Sequence, residues 1–250
     1  STVGAAMELY ESGAITDADT GGLALKFGSA EVLVELTELT AAGEGFGKEI
    51  GLGSKRLCEK YGKPELSMSV KGQEFPAYDP RGIQSMGLTY ATSNRGACHV
   101  RGYTVAAEVF GIPQKTDPVG TEGKAELVKA FQDLTAVVDS SGLCLFTTFA
   151  LGAEDIAPQL DAACEGAWPV DRLATVGERV WNMERKFNLA AGFSAKDDTL
   201  PKRILSTPLE SGPAQGKVAG LDVMLPQYYR IRGWTPEGVP SEETLSRLDL

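Results

Sequence analysis

Apolar residues recur three and four positions apart along much of this chain, and the runs end at clusters of turn formers. From Val170 to Leu189 the series Leu173, Val176, Val180, Met183 and Phe187 alternates these intervals, while Arg172, Glu178, Arg179, Glu184 and Arg185 occupy the other faces. The spacing predicts an amphipathic helix whose stripe is core, not a cofactor box. A second such helix is predicted over Lys124 to Val138, where Leu127, Val128, Phe131, Leu134, Val137 and Val138 recur at helical spacing.

The first segment places Val3, Ala6, Met7 and Tyr10 on one face of a buried helix that stops at Gly13. Ser29 is a candidate N-cap for a helix to about Ala42 with Val32, Leu33, Leu36 and Leu39 inward, and the glycines at 43, 45 and 47 break it. Short helices are predicted near Lys48 to Leu52 and over Ser54 to Tyr61, with Leu57 and Cys58 as apolar positions. Leu66 to Gly72 alternates with period two, a short-strand pattern, and Phe75 to Gly82 is dense in turn formers. A boundary is placed there, dividing residues 1–69 from 70–250. An irregular section with short helices follows to about Pro118. Leu145 to Ala150 is an apolar run too short to classify by period. Helices are predicted over Ile156 to Cys164, over Leu221 to Arg232, and from Ser241, where Glu242 and Glu243 suit the N-terminal dipole. Gly192 to Arg203 reads as a solvated polar turn. The fold class is therefore mainly α, in two packed helical layers or lobes.

Composition narrows the partners. The chain has 250 residues, 42% of them hydrophobic, enough for a sizeable core. Its 34 acidic and 24 basic residues give a net charge of −10, which argues against a sequence-independent nucleic-acid binder. Small molecules or proteins are the expected partners. No run has the length of a membrane span and no signal segment is evident, so a soluble, cytoplasmic protein is expected. The four cysteines, Cys58, Cys98, Cys144 and Cys164, are widely spaced without a CxxC pair, as in a reducing compartment. Helical patterning begins at Val3 behind a non-methionine first residue, Ser1, as though a segment preceded it.

Only one histidine is present, His99, within Ala91-Thr-Ser-Asn-Arg-Gly-Ala-Cys-His-Val-Arg-Gly-Tyr103. Histidine titrates near neutrality, so that chemistry is confined to one place, although a hydrogen-bonded structural role is the more ordinary one for a lone histidine. The chain carries no GxxxxGK[ST] phosphate loop and no HExxH, and metal sites built from several histidines are excluded by counting. Asp139-Ser-Ser-Gly-Leu-Cys144 sets a carboxylate and a thiol around a glycine turn at the end of a predicted helix, an arrangement able to address one ligand. Asp19-Thr-Gly-Gly-Leu-Ala24 shares the DxxGL spacing without the thiol. An aspartate at a helix end and a buried cysteine are also ordinary structural features, and the residues alone leave both readings open.

The segments Gly72-Gln-Glu-Phe-Pro-Ala-Tyr-Asp-Pro-Arg-Gly82, Ala91-Thr-Ser-Asn-Arg-Gly-Ala-Cys-His99, Val138-Asp-Ser-Ser-Gly-Leu-Cys144, Gly177-Glu-Arg-Val-Trp-Asn-Met-Glu-Arg-Lys-Phe-Asn188, Lys196-Asp-Asp-Thr-Leu-Pro-Lys-Arg203 and Arg232-Gly-Trp234 resemble, in that order, the C-terminal part of the tungsten-containing aldehyde ferredoxin oxidoreductase family. The resemblance covers essentially the whole chain. It implies helical domains beside a tungsten (or molybdenum) bis-pterin cofactor and a [4Fe-4S] cluster that passes electrons to ferredoxin, with residues 1–69 as the end of the second domain and 70–250 as the third. Cys144 matches the family's fourth cluster ligand, and Asp139 and Leu143 match the pterin-contacting part of the same motif. His99 matches a histidine beside the metal, a hydrogen-bond donor to the aldehyde oxygen. Tyr78 matches a tyrosine of that pocket in some relatives, and Arg101 falls where a basic residue approaches a pterin. The implied reaction oxidises an aldehyde to a carboxylic acid.

The departures matter as much. Nothing here resembles the three-cysteine cluster motif, the β-rich pterin platform, the first pterin motif or the family's glutamate base. The expectation is a C-terminal part of a longer polypeptide, inactive alone, whose missing N-terminal domains are its first partners; a homo-oligomer is compatible. The alternatives are a tungsten relative with another low-potential reaction, such as aromatic acyl-CoA ring reduction, and a cofactor-free helical assembly module.

Overall fold

The computed structural model describes residues 1–250. Helices α1 (Thr2–Glu11), α2 (Asp17–Thr20), α3 (Ala30–Ala42), α4 (Gly47–Ile50) and α5 (Ser54–Lys60) precede a two-residue-strand hairpin of β1 (Ser69–Val70) and β2 (Gln73–Glu74). Ser69 pairs with Glu74 and Val70 with Gln73 in antiparallel register, so only part of the period-two segment forms ladder. Then come α6 (Gln84–Thr92), α7 (Lys124–Ser141), α8 (Ala153–Ala163), α9 (Val170–Ala190), α10 (Lys202–Ser206), α11 (Leu221–Arg232) and α12 (Glu242–Leu248). The architecture is mainly α, as the periodicity predicts. No helix is long and apolar enough to cross a membrane.

Caps explain several of the boundaries. Ser29 accepts a hydrogen bond from the Val32 amide at 3.4 Å, and Gly43 closes α3 in the left-handed region at φ 66°. Ser241 likewise caps α12.

One hydrophobic cluster of 11 buried residues packs α1, α3, α4 and α5 around Leu9, Leu36, Phe46 and Leu57, with Cys58 inside it. A cluster of 18 begins at Val70 and gathers α6, α7, α9 and α11 around Met86, Tyr90, Trp181 and Tyr228. All nine residues of α6 are buried, which is why that helix has no one-sided stripe.

Three expectations are corrected. On α3 only Leu36 is fully inward, whereas Leu33 stands 48% exposed, because the neighbouring helices cover a narrower strip than the apolar pattern. On α9 the inward line is Leu173, Gly177, Trp181 and Arg185, while Met183 and Phe187 are 49% and 73% exposed. The cause is Gly177, where an added Cβ would lie 2.1 Å from the Asp133 carbonyl oxygen. The backbones of α7 and α9 touch there, and that contact fixes which face of α9 turns inward. Finally, Gly192 to Arg203 is not a solvated turn: Asp198 is buried and bridges Lys71 at 2.8 Å and Arg185 at 2.8 Å.

The inward faces of α7, α9 and α11 are joined by polar side chains. Trp181 Nε1 donates to Tyr228 Oη at 2.9 Å, Tyr228 Oη donates to Gln132 Oε1 at 2.6 Å, and Arg232 donates to Gln132 at 2.8 Å and also to Asp133. Each buried donor here meets an acceptor, as a dry interior requires.

Candidate functional site

The loop after α6 is held in place before it reaches His99. Asn188 of α9 donates from Nδ2 to the Asn94 carbonyl at 2.6 Å. Gly96, at φ +98°, runs so close to β1 that an added Cβ would sit 2.5 Å from the Val70 carbonyl oxygen. Both contacts fix the direction in which residues 97–103 leave the core.

That loop serves two groups. In the first, His99 lies against Tyr78 and Tyr103, with ring centroids 5.7 Å and 5.9 Å away, and the two phenol oxygens share a hydrogen bond of 2.8 Å. Burial, and then the nearby Arg95 charge, hold the imidazole below its ordinary pKa, so it is neutral at pH 7. Burial and the bond to Tyr78 push the Tyr103 phenol up to about 12, keeping it protonated. A neutral imidazole and a hydrogen-bonded phenol pair offer N–H and O–H donors to a developing oxyanion.

In the second group, Arg101 is buried and forks between two carboxylates, donating to Asp139 Oδ2 at 2.8 Å and to both Glu184 oxygens at 2.7 Å. Its guanidinium also stacks over Trp181, 5.2 Å from the ring centroid. Asp139 stands in the last turn of α7 with its side chain 47% exposed, so the carboxylate is held from one side and open on the other. Gly142, at φ 74°, then reverses the chain. Leu143 packs with Val137, Val138 and Ile156, and Cys144 emerges exposed at the head of the 3₁₀ turn Leu145–Phe149.

Sequence-predicted His99 and Tyr78 are thus brought together, as are Arg101 and Asp139. Cys144 joins neither pair through a direct bond, but Phe149 from its turn stacks edge-on to Tyr103 at 5.9 Å. Sequence reasoning missed Tyr103, whose partner Tyr78 lies 25 residues away. It also missed Glu184 as the second acceptor of Arg101, and no spacing signal encodes either pairing. Asp19 lies far from this chemistry in role: its carboxylate accepts from the Thr16 amide at 2.8 Å in a local capping box.

Which groups can these residues hold? Met183 and Phe187, with Asn94, Arg95, Arg101 and Glu184, line an open hollow of about 430 Å³. Asn94 Oδ1 is buried there without a hydrogen-bond partner. The apolar side chains of Met183 and Phe187 beside the part-exposed Glu184 carboxylate fit a flat ligand with N–H edges. No group of three or more His, Cys, Asp or Glu side chains converges on one point, and the Cys144 thiol stands free and exposed.

The profile described as "Aldehyde ferredoxin oxidoreductase, domains 2 & 3" matches residues 1–250. The chain belongs to the aldehyde ferredoxin oxidoreductase family. It is 49% identical, over 252 residues, to a tungsten-containing aldehyde ferredoxin oxidoreductase of Pyrococcus furiosus, a match that covers 100% of this chain and 42% of that relative. The corresponding protein of Thermococcus kodakarensis is 48% identical over 246 residues, covering 97% of this chain and 41% of its own length. This member of the family therefore spans well under half of the curated relatives it matches. A further relative, the WOR-like subunit of an aliphatic sulfonate oxidoreductase from Pyrococcus furiosus, is 30% identical over 99% of this chain and 39% of its own. Among solved structures, the active-site complex BamBC of benzoyl coenzyme A reductase with 1,5-dienoyl-CoA superposes with a TM-score of 0.75 at 17% identity, covering 100% of this chain and 43% of that one, which establishes a shared fold.

Proposed function

We propose that this chain is the C-terminal part of a tungsten-containing oxidoreductase that converts aldehydes to carboxylic acids and delivers the electrons to ferredoxin in the cytoplasm. The observation that carries this reading is the single loop that holds His99 against Tyr78 and Tyr103 and, two residues on, holds Asp139 through Arg101. In this reading Asp139 accepts from the N–H edge of a pterin, Leu143 packs beneath it, Arg101 fixes the carboxylate, and Cys144 supplies one thiolate to a [4Fe-4S] cluster. When bound, the tungsten–pterin group and the cluster supply the electron-accepting centre and the route outward.

The chain's own contribution is to bind and orient. His99 donates its N–H to the aldehyde oxygen as negative charge builds on it, and Tyr78 and Tyr103 restrict how the imidazole turns. Domain segments outside the chain complete the cofactor site, with residues 1–69 and 70–250 as the end of the second and the whole of the third domain.

The test is His99→Gln in the intact enzyme, assayed by aldehyde-dependent viologen reduction. A loss of about 10²–10³ in kcat with tungsten and iron retained is expected, the size associated with removing one oxyanion donor. Full activity in that variant sinks the proposed role of His99, and an intact protein without tungsten sinks the reaction. The 250-residue chain alone is expected to hold neither stoichiometric tungsten nor iron. Aliphatic sulfonates, named for the 30% identical relative, are the second substrate class to assay.

A further inference from the structure

An apolar hollow of about 330 Å³, partly open to solvent, lies between α7 and the segment that follows Cys144. Phe131 and Leu134 line it from α7, and Leu145 and Phe149 line it from the 3₁₀ turn. Ten of its 14 lining residues are hydrophobic and none is charged, so it suits hydrocarbon and penalises an ion. The hydroxyl of Thr148, also at its wall, is already committed to the Leu145 carbonyl at 2.7 Å.

What connects the cavity to the chemistry is Tyr103. The ring that lines it stands 5.9 Å from His99 and bonds Tyr78 through its hydroxyl at 2.8 Å. The same ring meets Phe149 of the opposite wall edge-on at 5.9 Å. An aldehyde whose oxygen meets His99 must place its side chain beyond the carbonyl carbon, and Tyr103 is the residue common to both spaces. We infer that this cavity receives the hydrocarbon side chain of the aldehyde and selects aromatic and larger aliphatic aldehydes over short or anionic ones. The inference rests on the aldehyde reaction proposed above.

Size and charge act through different physics here. Each methylene or ring edge buried against Phe131 and Leu134 strengthens binding in proportion to apolar area. A carboxylate on the substrate would lose its hydration in a space with no cationic side chain to replace it.

The experiment uses the intact enzyme with benzaldehyde, acetaldehyde and succinic semialdehyde, in the wild type, in Leu134→Trp and in the milder Ala130→Leu, which fills the cavity from a solvent-facing position. The wild type is expected to favour benzaldehyde over acetaldehyde in kcat/KM by at least about 10-fold, the range that apolar pockets achieve for small hydrocarbon differences. It is expected to disfavour succinic semialdehyde. Both variants should reduce the benzaldehyde preference. Toluene, which fits the cavity but cannot react, should raise the thermal transition of the wild type and not of Leu134→Trp. Unchanged substrate ratios and an unchanged toluene shift in either folded variant, with acetaldehyde still oxidised, overturn the inference alone. Failure of the wild type to oxidise any aldehyde overturns the parent reading and this inference with it.

Discussion

The two buried regions of this molecule are built from different materials. Around α1, α3, α4 and α5 the cluster is apolar, and no charged residue of the first 69 is buried. Between α7, α9 and α11, Arg185, Arg232, Asp133 and Asp198 are all buried and satisfy one another directly or through Gln132, Tyr228 and Tyr229. An apolar cluster tolerates sliding, since its energy follows area and not direction. A network of charge-assisted bonds does not, since each bond has a preferred angle and length. The candidate site hangs from the second kind. Its loop is pinned by Asn188 of α9 and its Asp139 ends α7, so the rigid interface sets the geometry of the chemistry.

The sharpest way to break that contrast is Asp198→Ala. The carboxylate is fully buried between Lys71 and Arg185 and accepts from Tyr229, so its loss strands two cations in a dry interior. A destabilisation of about 3–5 kcal/mol is expected, the cost of removing one partner of a buried ion pair. Leu36→Ala in the apolar cluster serves as the counterpart, with about 2–4 kcal/mol expected for a buried leucine truncated to alanine. Urea unfolding of the intact protein compares them. If Leu36→Ala costs clearly more than Asp198→Ala, the polar interface is not the stiffer of the two. Aldehyde oxidation should fall per folded molecule in Asp198→Ala and stay near wild type in Leu36→Ala.

That distinction also explains what the sequence could and could not disclose. Helix positions were legible because Gly13, Ser29, Gly43 and Ser241 punctuate apolar periodicity by local rules. The faces of α9 were not, because periodicity presumes that apolar residues are inside, whereas here Arg185 and Asn188 are inside and Phe187 is out. Asp198 illustrates the same failure. Its setting in Lys-Asp-Asp-Thr looks solvated until Lys71 and Arg185 arrive from elsewhere in the chain. At the candidate site, the motif residues His99, Asp139 and Cys144 were visible as types in order. Their supports, Tyr103 and Glu184, were hidden, since those contacts join residues 25 and 83 apart.

A smaller perturbation tests whether helix contact governs the site at a distance. Gly177→Ala places a methyl against the Asp133 carbonyl, where only 2.1 Å is free, and backbone must move on one side. Overpacking of this kind costs about 1–3 kcal/mol. Because Asp139 lies on the same helix as Asp133, displacement of α7 is expected to lower the tungsten content of the purified enzyme as well as its stability. Loss of stability with full tungsten occupancy would separate the interface from the site.

The smallest effect concerns charge alone. His99 is held below its ordinary pKa by burial and then by Arg95, so below about pH 6.5 the unfolded chain takes up a proton that the folded chain resists. The contribution of His99 to stability is therefore complete above the unfolded value and is lost as pH falls through the folded one. Arg95→Gln removes the repelling charge, raises the pKa of His99 toward its unfolded value, and narrows the stability lost between pH 7 and pH 5. Burial remains, so the narrowing is partial and well below the effects of the interface variants. Paired unfolding curves at the two pH values, in the wild type, Arg95→Gln and His99→Gln, decide it. His99→Gln should remove this acid component entirely, and an acid loss that is the same in all three proteins would place it on other groups, leaving the imidazole outside the electrostatics of its own loop.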